Sequence, residues 1–454
     1  MSEAKEESSK FRVIIVGGSV AGLTLAHCLA KADIDHIVLE KRAEISPQEG
    51  AFIGIWPNGG RVFDQLGLYA DFESVTAPIH KMHVRFPDGF TFSSSLPREI
   101  QERFGYPIIS LDRQNVLKVL HDRYPTKSNV LVNKKVTDVR IHASGVSVAT
   151  GDGSVYTGDL VVGADGVHSR IRSEMWRLAD ATRPGIITPY EKEAFTVEYA
   201  CVFGISEQVP HLQVGEHINA YLNGLCVITF HGQENRVFWF ILVKLPKKSV
   251  YPNTPRFSAG DAATFCHKFS HVRISENVCV GDLWESKTFA SMTALEEGLL
   301  ETWHFDRIVL LGDSVHKMTP NIGQGANTAV EDAAVLASLL KKLSKLEHEA
   351  RRATSTITGL LAEFQSMRYN RVKSTYQRSR FGARLHTRDD LVKTLIGRYI
   401  FPYAGRRVVE RASKALADGH SVEFLPPPKR LGTAWSEYSS HTSLFVPTLS
   451  TWNQ

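Results

Sequence analysis

Three short stretches carry residue types suited to holding phosphates and sugar hydroxyls. The first is Gly17-Gly18-Ser19-Val20-Ala21-Gly22, followed 18 residues later by Glu40. Glycines there let a turn tighten and a helix approach closely, so that a pyrophosphate sits at the helix N-terminus. A carboxylate at the next strand end accepts from ribose hydroxyls. Ser19 stands where the strict Gly-x-Gly-x-x-Gly fingerprint has its middle glycine; it is small, and its hydroxyl can donate to phosphate. The second stretch, Val161-Val162-Gly163-Ala164-Asp165-Gly166, ends a strand in a carboxylate, with Ser169, Arg170 and Arg172 just beyond. Ligands of α/β folds bind at that carboxyl edge, although an ordinary Asp-Gly turn has the same spelling. The third, Leu311-Gly312-Asp313-Ser314-Val315-His316, runs on through Pro320, Gly323, Gly325 and Ala326. Asp313 closes a buried strand, where a carboxylate needs donors such as polyol hydroxyls. The loop then opens a helix whose free N–H groups and positive dipole end suit an anionic ring edge.

Patterning supplies the elements that must hold these residues. Phe11 to Val16 is a Val/Ile-rich run that meets the glycine turn, a helix follows to about Ala30, and Ile37 to Leu39 is the next strand. That β-α-β unit predicts a parallel sheet with a nucleotide at its strand ends. Lys81 to Ser110 reads as alternating strands around Pro87-Asp88-Gly89, Asp112 to Tyr124 as helix, and Val130 to Val148 as two strands. Tyr199–Ile205, Leu225–His231 and Arg236–Val243 repeat a β pattern between Gly and Asn turns, as an antiparallel sheet does. Ile308 to Leu311 returns to a buried strand, and a long helix runs from about Asn327 to Leu343. The prediction is an α/β chain in which a Rossmann-type nucleotide domain is interrupted by a mostly antiparallel sheet domain and ends in a helical region. The nucleotide domain takes residues 11–80, 109–190 and 301–370; the sheet domain takes 81–108 and 191–300; 371–454 is the C-terminal region.

At 454 residues, with 43% apolar and 22% charged residues, the chain has the composition of a globular enzyme. The net charge of +5 comes without a Lys/Arg run interleaved with aromatics, so no nucleic-acid partner is expected. Five scattered cysteines without a Cys-x-x-Cys pair argue against a disulfide framework or a zinc site and for a reducing compartment. Met1 to Lys10 has no apolar core, so no signal peptide is expected, and no run of about 18 uncharged apolar residues predicts a spanning helix. An intracellular location, cytoplasmic or on a membrane surface, follows as the expectation.

Taken together, the three motifs resemble those of the class A flavin monooxygenases with the para-hydroxybenzoate hydroxylase fold, over roughly residues 11 to 370. The phrases GAFIGIWPNGGRVFDQLGLY (50–69), ISLDRQNVLKVLHDRY (109–124) and CVFGIS (201–206) are similar to fungal epoxidases of prenyl chains in indole-diterpene and meroterpenoid biosynthesis. The resemblance implies non-covalent FAD, its ADP part on Gly17, Gly18, Ser19, Gly22 and Glu40, and its ribitol on Gly312 and Asp313. It implies that Asp165 and Gly166 serve FAD and NAD(P)H, and it adds Gly54, Arg113 and Ala326. A guanidinium on a first helical turn, as at Arg113, can pair with phosphate or a ring carbonyl; a surface salt bridge is the other reading. Pro320, Gly323 and Gly325 would steady negative charge on reduced flavin.

The chemistry implied is reduction by NADPH or NADH, addition of O2 at flavin C4a as a hydroperoxide, and transfer of one oxygen to an alkene of a lipophilic terpenoid. Tyr221 is the first candidate for a general acid and Tyr199 the second, each with aromatic packing as the alternative. His316 is read as a loop histidine near the flavin. A halogenase would need a Trp-x-Trp-x-Ile-Pro motif and a disulfide reductase a cysteine pair, and the chain has neither. An aromatic hydroxylase of the salicylate type and a non-catalytic nucleotide- or isoprenoid-binding module stand as rival readings. Residues 371–414 hold twelve Lys/Arg against three acids around the apolar Leu391–Tyr403, which suits peripheral contact with a membrane surface; a basic helix pair packed back on the nucleotide domain is the other reading.

Overall fold

The computed structural model describes residues 10–48, 50, 52–430 and 432–439. Most of the leader 1–10, Ala51 of the phrase at 50–69, and the end of the 371–454 region therefore lie outside the described residues. A six-stranded sheet carries the order His304–Phe305, Ile308–Leu310, Leu160–Gly163, Arg12–Val16, Asp35–Leu39, Val130–Leu131. All neighbours are parallel except the His304–Phe305 edge. The central strand Arg12–Val16 pairs with Leu160–Gly163 on one side and Asp35–Leu39 on the other, so the first two motifs end side by side. Ile308–Leu310 lies next to Leu160–Gly163 and brings the third motif to the same edge. Such strands are buried on both faces, which is why they read as continuous Val/Ile/Leu runs.

The sheet domain is an eight-stranded sheet whose centre is Lys287–Leu299, Thr196–Glu207, Arg236–Val250, Leu225–His231 and Glu216–Leu222. The hairpin Lys81–Arg85/Thr91–Ser94 joins its far edge, parallel to Glu216–Leu222. Two details differ from the sequence reading. A helix, Leu96–Phe104, with Pro97 in its first turn and Gly105 in the left-handed conformation at its end, interrupts the 81–110 segment. The strand after it, Ile108–Asp112, leaves the large sheet and pairs with Phe52–Ile55 and Pro78–Ile79. The 130–148 segment also yields three strands, because Val130–Leu131 joins the parallel sheet whereas Val136–His142 and Gly145–Thr150 form a meander with Val155–Gly158. Phe52 links the two domains, its ring 4.5 Å from Phe230 and 4.7 Å from Phe240.

Behind the parallel sheet runs the long helix Gly325–Leu343, which packs on Val20–Ala32 and on the 33-residue helix Thr354–His386. Its centre is charged as well as buried. Arg368 donates from Nη1 to Glu331 at 2.6 Å and from Nε to Asp332 at 2.8 Å, all three fully buried. Arg371 adds two bonds of 2.5 Å to Glu331, and Asn58 donates to the same carboxylate at 2.7 Å. Burial alone would raise Glu331; Arg371 and Arg368 hold it well below the ordinary carboxylate range. Each charge survives burial because partners occupy its lone pairs or protons. Arg368→Met should therefore cost about 3–5 kcal/mol by removing the cation that Asp332 and Glu331 share in the core, read as a lower midpoint in urea unfolding.

Candidate functional site

A groove of about 700 Å³ opens along the carboxyl edge of the parallel sheet. Of the residues singled out by sequence, Gly17, Ser19, Glu40, Arg113, Asp165, Gly166, Asp313, Gly325 and Ala326 line it. The first motif forms one end. Gly17 sits at φ +111°, and a Cβ there would lie 2.3 Å from the Ala164 carbonyl oxygen. A Cβ on Gly22 would lie 1.9 Å from the Gly17 carbonyl oxygen, so both positions need glycine for the helix to start this close to the strand. Ser19 precedes the helix with extended backbone, and its hydroxyl makes no cap. It accepts instead from Arg113 Nη2 at 3.0 Å. An uncapped helix N-terminus with a guanidinium and a hydroxyl beside it is an anion site. Glu40, 3% exposed, accepts from the Gly18 N–H at 2.6 Å and the Arg42 N–H at 2.9 Å. It thus fixes the glycine turn as well as facing the groove.

At the other end, Asp313 pairs with Lys317, the donor that the sequence reading left to a ligand. Gly312 donates to Asp332 at 3.0 Å, which ties this turn to the long helix. That helix starts at Gly325 with no side-chain cap, and Ala326 lines the groove, so its first N–H groups are available to a ligand. Pro320, Gly323 and Gly54 do not line the groove. Asn327 joins them: it donates to Gly54 O at 2.8 Å and to Gly323 O at 2.7 Å, and accepts from the Trp56 N–H at 3.0 Å. Sequence reading had Asn327 only as the helix start. Asp165 lines the groove with both oxygens engaged, accepting from Ser169 Oγ at 2.5 Å and the Arg170 N–H at 2.7 Å, and so braces the first turn of the helix Arg170–Thr182, whose N-cap is Ser169. His316, expected in a loop by the flavin, is buried and donates from Nε2 to the Asp332 carboxylate at 2.6 Å.

The two tyrosines lie off the groove. Tyr199 is buried, with its hydroxyl donating to Asp389 at 2.5 Å. Tyr221 is buried in the sheet's second aromatic cluster, edge-on to Phe86 and stacked on His386 at 4.5 Å between centroids. Burial raises both phenols and keeps them protonated. A path of contacts still joins Tyr221 to the groove's loop, because Asn321 donates to His386 Nδ1 at 3.1 Å and Asn321 lies in the turn Pro320–Ile322. His231 on the same sheet places Nδ1 2.9 Å from the Gln213 carbonyl and Nε2 2.9 Å from the Thr229 hydroxyl. A carbonyl only accepts, so Nδ1 carries the proton and Nε2 accepts. Burial pushes His231 and His386 down to about 4 each.

The groove's residue types fit FAD. An anion site at one end, two carboxylates for hydroxyls along it, and a second bare helix N-terminus match a pyrophosphate, a ribose, a polyol and an anionic ring in turn. Residues 10–354 match the FAD binding domain family. The FAD-dependent monooxygenase ausM of Penicillium brasilianum is 75% identical over 441 residues, 97% of this chain and 93% of that one. The FAD-dependent monooxygenase andE of Emericella variicolor is 51% identical, over 95% of this chain and 92% of that one. Among solved structures, Klebsiella pneumoniae HpxO with FAD and uric acid superposes with a TM-score of 0.72 at 24% identity, covering 90% of this chain and 97% of that one. A salicylate hydroxylase substrate complex superposes with a TM-score of 0.66 at 22% identity, over 88% of this chain and 98% of that one.

Two outcomes follow from this geometry. Asp313→Ala should weaken FAD binding by about 1–3 kcal/mol, read by quenching of flavin fluorescence, while unchanged affinity would take Asp313 out of the site. The second concerns pH. Unfolded histidines titrate near 6.5, so below that the unfolded chain binds more protons than the folded one. Stability is then complete above about 6.5 and falls as pH drops toward 4. His231→Gln should flatten that fall by up to about 1.4 kcal/mol per pH unit, seen in melting temperatures across the range.

Proposed function

We infer the reaction from one premise: the chain belongs to the FAD binding domain family and is an FAD-dependent monooxygenase with the para-hydroxybenzoate hydroxylase type of fold. The alternative of a non-catalytic binding module gives way to that membership. We propose that the enzyme uses NADPH or NADH and O2 to epoxidise an alkene of a lipophilic prenylated or terpenoid intermediate. Bound FAD would supply hydride acceptance and the activation of O2. The chain's own residues hold and tune it. Ser19, Arg113 and the first turn of Val20–Ala32 take the pyrophosphate, Glu40 a ribose hydroxyl and Asp313 the polyol. The N–H groups of Gly325 and Ala326, at an uncapped helix start on the groove, would stabilise negative charge on the bound ring, and fixed dipoles need no reorganisation.

The observation that favours an apolar substrate is an aromatic cluster between the small sheet and the large one, on the far face of the strand that borders the groove. Ile53 lines the groove, and Phe52, its neighbour on the strand, points to the opposite face. There it meets Phe230, Phe238 and Phe240, and His217 stacks on Phe230 at 4.2 Å. Rings of this kind hold a hydrocarbon chain by burial and keep water from the reacting oxygen. Tyr221, protonated and joined to the loop through His386 and Asn321, is the proposed proton donor in oxygen transfer, with Tyr199 second to it.

Purified enzyme given NADPH, O2 and a set of prenylated metabolites should yield a product one oxygen heavier that acid hydrates to a diol. A phenolic product that resists hydration would instead assign the salicylate type of hydroxylation. Tyr221→Phe keeps the stack on His386 and removes only the hydroxyl, so it should slow oxygen transfer about 10²–10⁴-fold while FAD content stays constant. Wild-type turnover in that variant would reduce Tyr221 to packing.

A further inference from the structure

Among the described residues, thirteen large apolar side chains are exposed, and six of them fall within Leu391–Tyr403. Leu391, Val392, Leu395, Tyr399, Ile400 and Tyr403 are 50–78% exposed. The segment is one continuous helical rod: an α-helical turn Leu391–Leu395, a π-helical turn Ile396–Ile400 and a 3₁₀ turn Phe401–Tyr403. Leu391, Leu395, Tyr399 and Tyr403 recur every four residues. All four are at least half exposed, so together they form the apolar surface of the rod.

An ordinary surface helix turns its apolar face to the core, and this one turns much of it outward. Its inner side is already fastened to the sheet domain. Gly397 is buried, with Leu385 and Phe86 within 4 Å of where a Cβ would be. The Arg398 guanidinium lies 3.7 Å from the Phe90 ring centroid and donates to Asp88 at 2.8 Å, while Phe401 meets the Phe92 ring edge. The rod is thus positioned by the hairpin Lys81–Arg85/Thr91–Ser94 and by Asp390, which accepts from the Lys393 N–H at 2.8 Å. The apolar surface is therefore left over from folding, not held open by poor packing.

Charge decides what the apolar surface fits. The next helix, Gly405–Ala417, carries exposed Arg406, Arg407, Arg411 and Lys414 against the single acid Glu410. A second copy of the chain would bring the same cations against them and be repelled. An anionic bilayer meets both demands, taking apolar side chains below its headgroups and basic ones at them. We propose that Leu391–Tyr403, flanked by the basic helix Gly405–Ala417, docks this enzyme on the surface of an anionic lipid membrane without crossing it. Among the described residues no helix is long and apolar enough to span one.

Docking here has a use if the substrate is lipophilic, and that use alone rests on the proposed function. Phe86, against Gly397 on one side, meets Tyr221 edge-on at 5.5 Å on the other. A substrate leaving the bilayer at the apolar surface would enter at the aromatic edge of the sheet domain. The contact itself can be tested with no substrate at all. FAD-loaded enzyme should sediment with phosphatidylcholine vesicles containing phosphatidylserine, more weakly with pure phosphatidylcholine, and less as salt rises.

Leu395→Ser/Tyr399→Ser should lower partitioning about tenfold or more. Arg406→Glu/Arg407→Glu should remove most of the salt-sensitive part. All four positions are exposed, so FAD content and melting temperature should match the wild type and show that each variant is folded. No sedimentation on anionic vesicles at low salt would overturn the proposal, as would sedimentation that neither variant reduces. A dimer in sedimentation velocity that Leu395→Ser/Tyr399→Ser dissolves would overturn it too, by making the apolar surface an interface between copies.

Discussion

One buried carboxylate holds together the end of the groove lined by Asp313, Gly325 and Ala326. Asp332 is fully buried on the long helix, and it accepts from the Gly312 N–H, from Arg368 and through a 2.6 Å contact with His316. Burial by itself would raise this carboxyl; His316 and Arg368 lower it, so the charge persists where solvent is absent. A charge in that setting is costly to move, because no water replaces a lost partner. The turn that presents Asp313 and the helix that presents Gly325 and Ala326 are therefore fixed relative to one another. The long helix Thr354–His386 supplies the counter-cation Arg368, and the same helix ends at His386 on Tyr221. One ionic cluster thereby couples the cofactor end of the groove to the sheet domain.

The two ends of the groove solve a common problem by different means. At the glycine turn, the chain removes side chains so that backbone N–H groups approach a phosphate, and Glu40 ties the turn down by accepting from Gly18. At the other end it keeps side chains and uses them as struts, with Asn327 bridging Gly54, Trp56 and Gly323. Both leave a helix N-terminus bare of a side-chain cap. The orphan N–H groups that would otherwise be a liability become the binding surface.

The parallel sheet and the meeting of the three motifs at its carboxyl edge were legible because their signals are local. A Val/Ile run, a glycine turn and an acid at the next strand end lie within about thirty residues, the span of one β-α-β unit. The ionic cluster was not legible, since Arg368 lies 36 residues from Asp332 and 37 from Glu331, and nothing in a one-dimensional pattern pairs them. Asp313 and Asp165 could be placed at one sheet edge from their motifs, and both line the groove, but their protein partners, Lys317 and the helix at Arg170, could not be read from the sequence. Tyr221 illustrates a different limit. Along a strand one residue decides the face, and Ala220 and Tyr221 pack in different clusters, which alternation alone does not assign to a substrate. The apolar rod at Leu391–Tyr403 was visible in the sequence, yet which of its sides is free follows only from Arg398 on Phe90 and Gly397 on Phe86.

Asp332, fully buried and absent from the groove's lining, positions the FAD site from within the core. The direct measurement is the FAD dissociation constant of Asp332→Asn beside its urea unfolding curve. An amide of the same shape can still accept from Gly312, but it lacks the charge that His316 and Arg368 require. The account predicts a folded variant that binds FAD about ten- to a hundredfold more weakly, the equivalent of one or two lost charge-assisted hydrogen bonds. A folded variant with wild-type FAD affinity would contradict it.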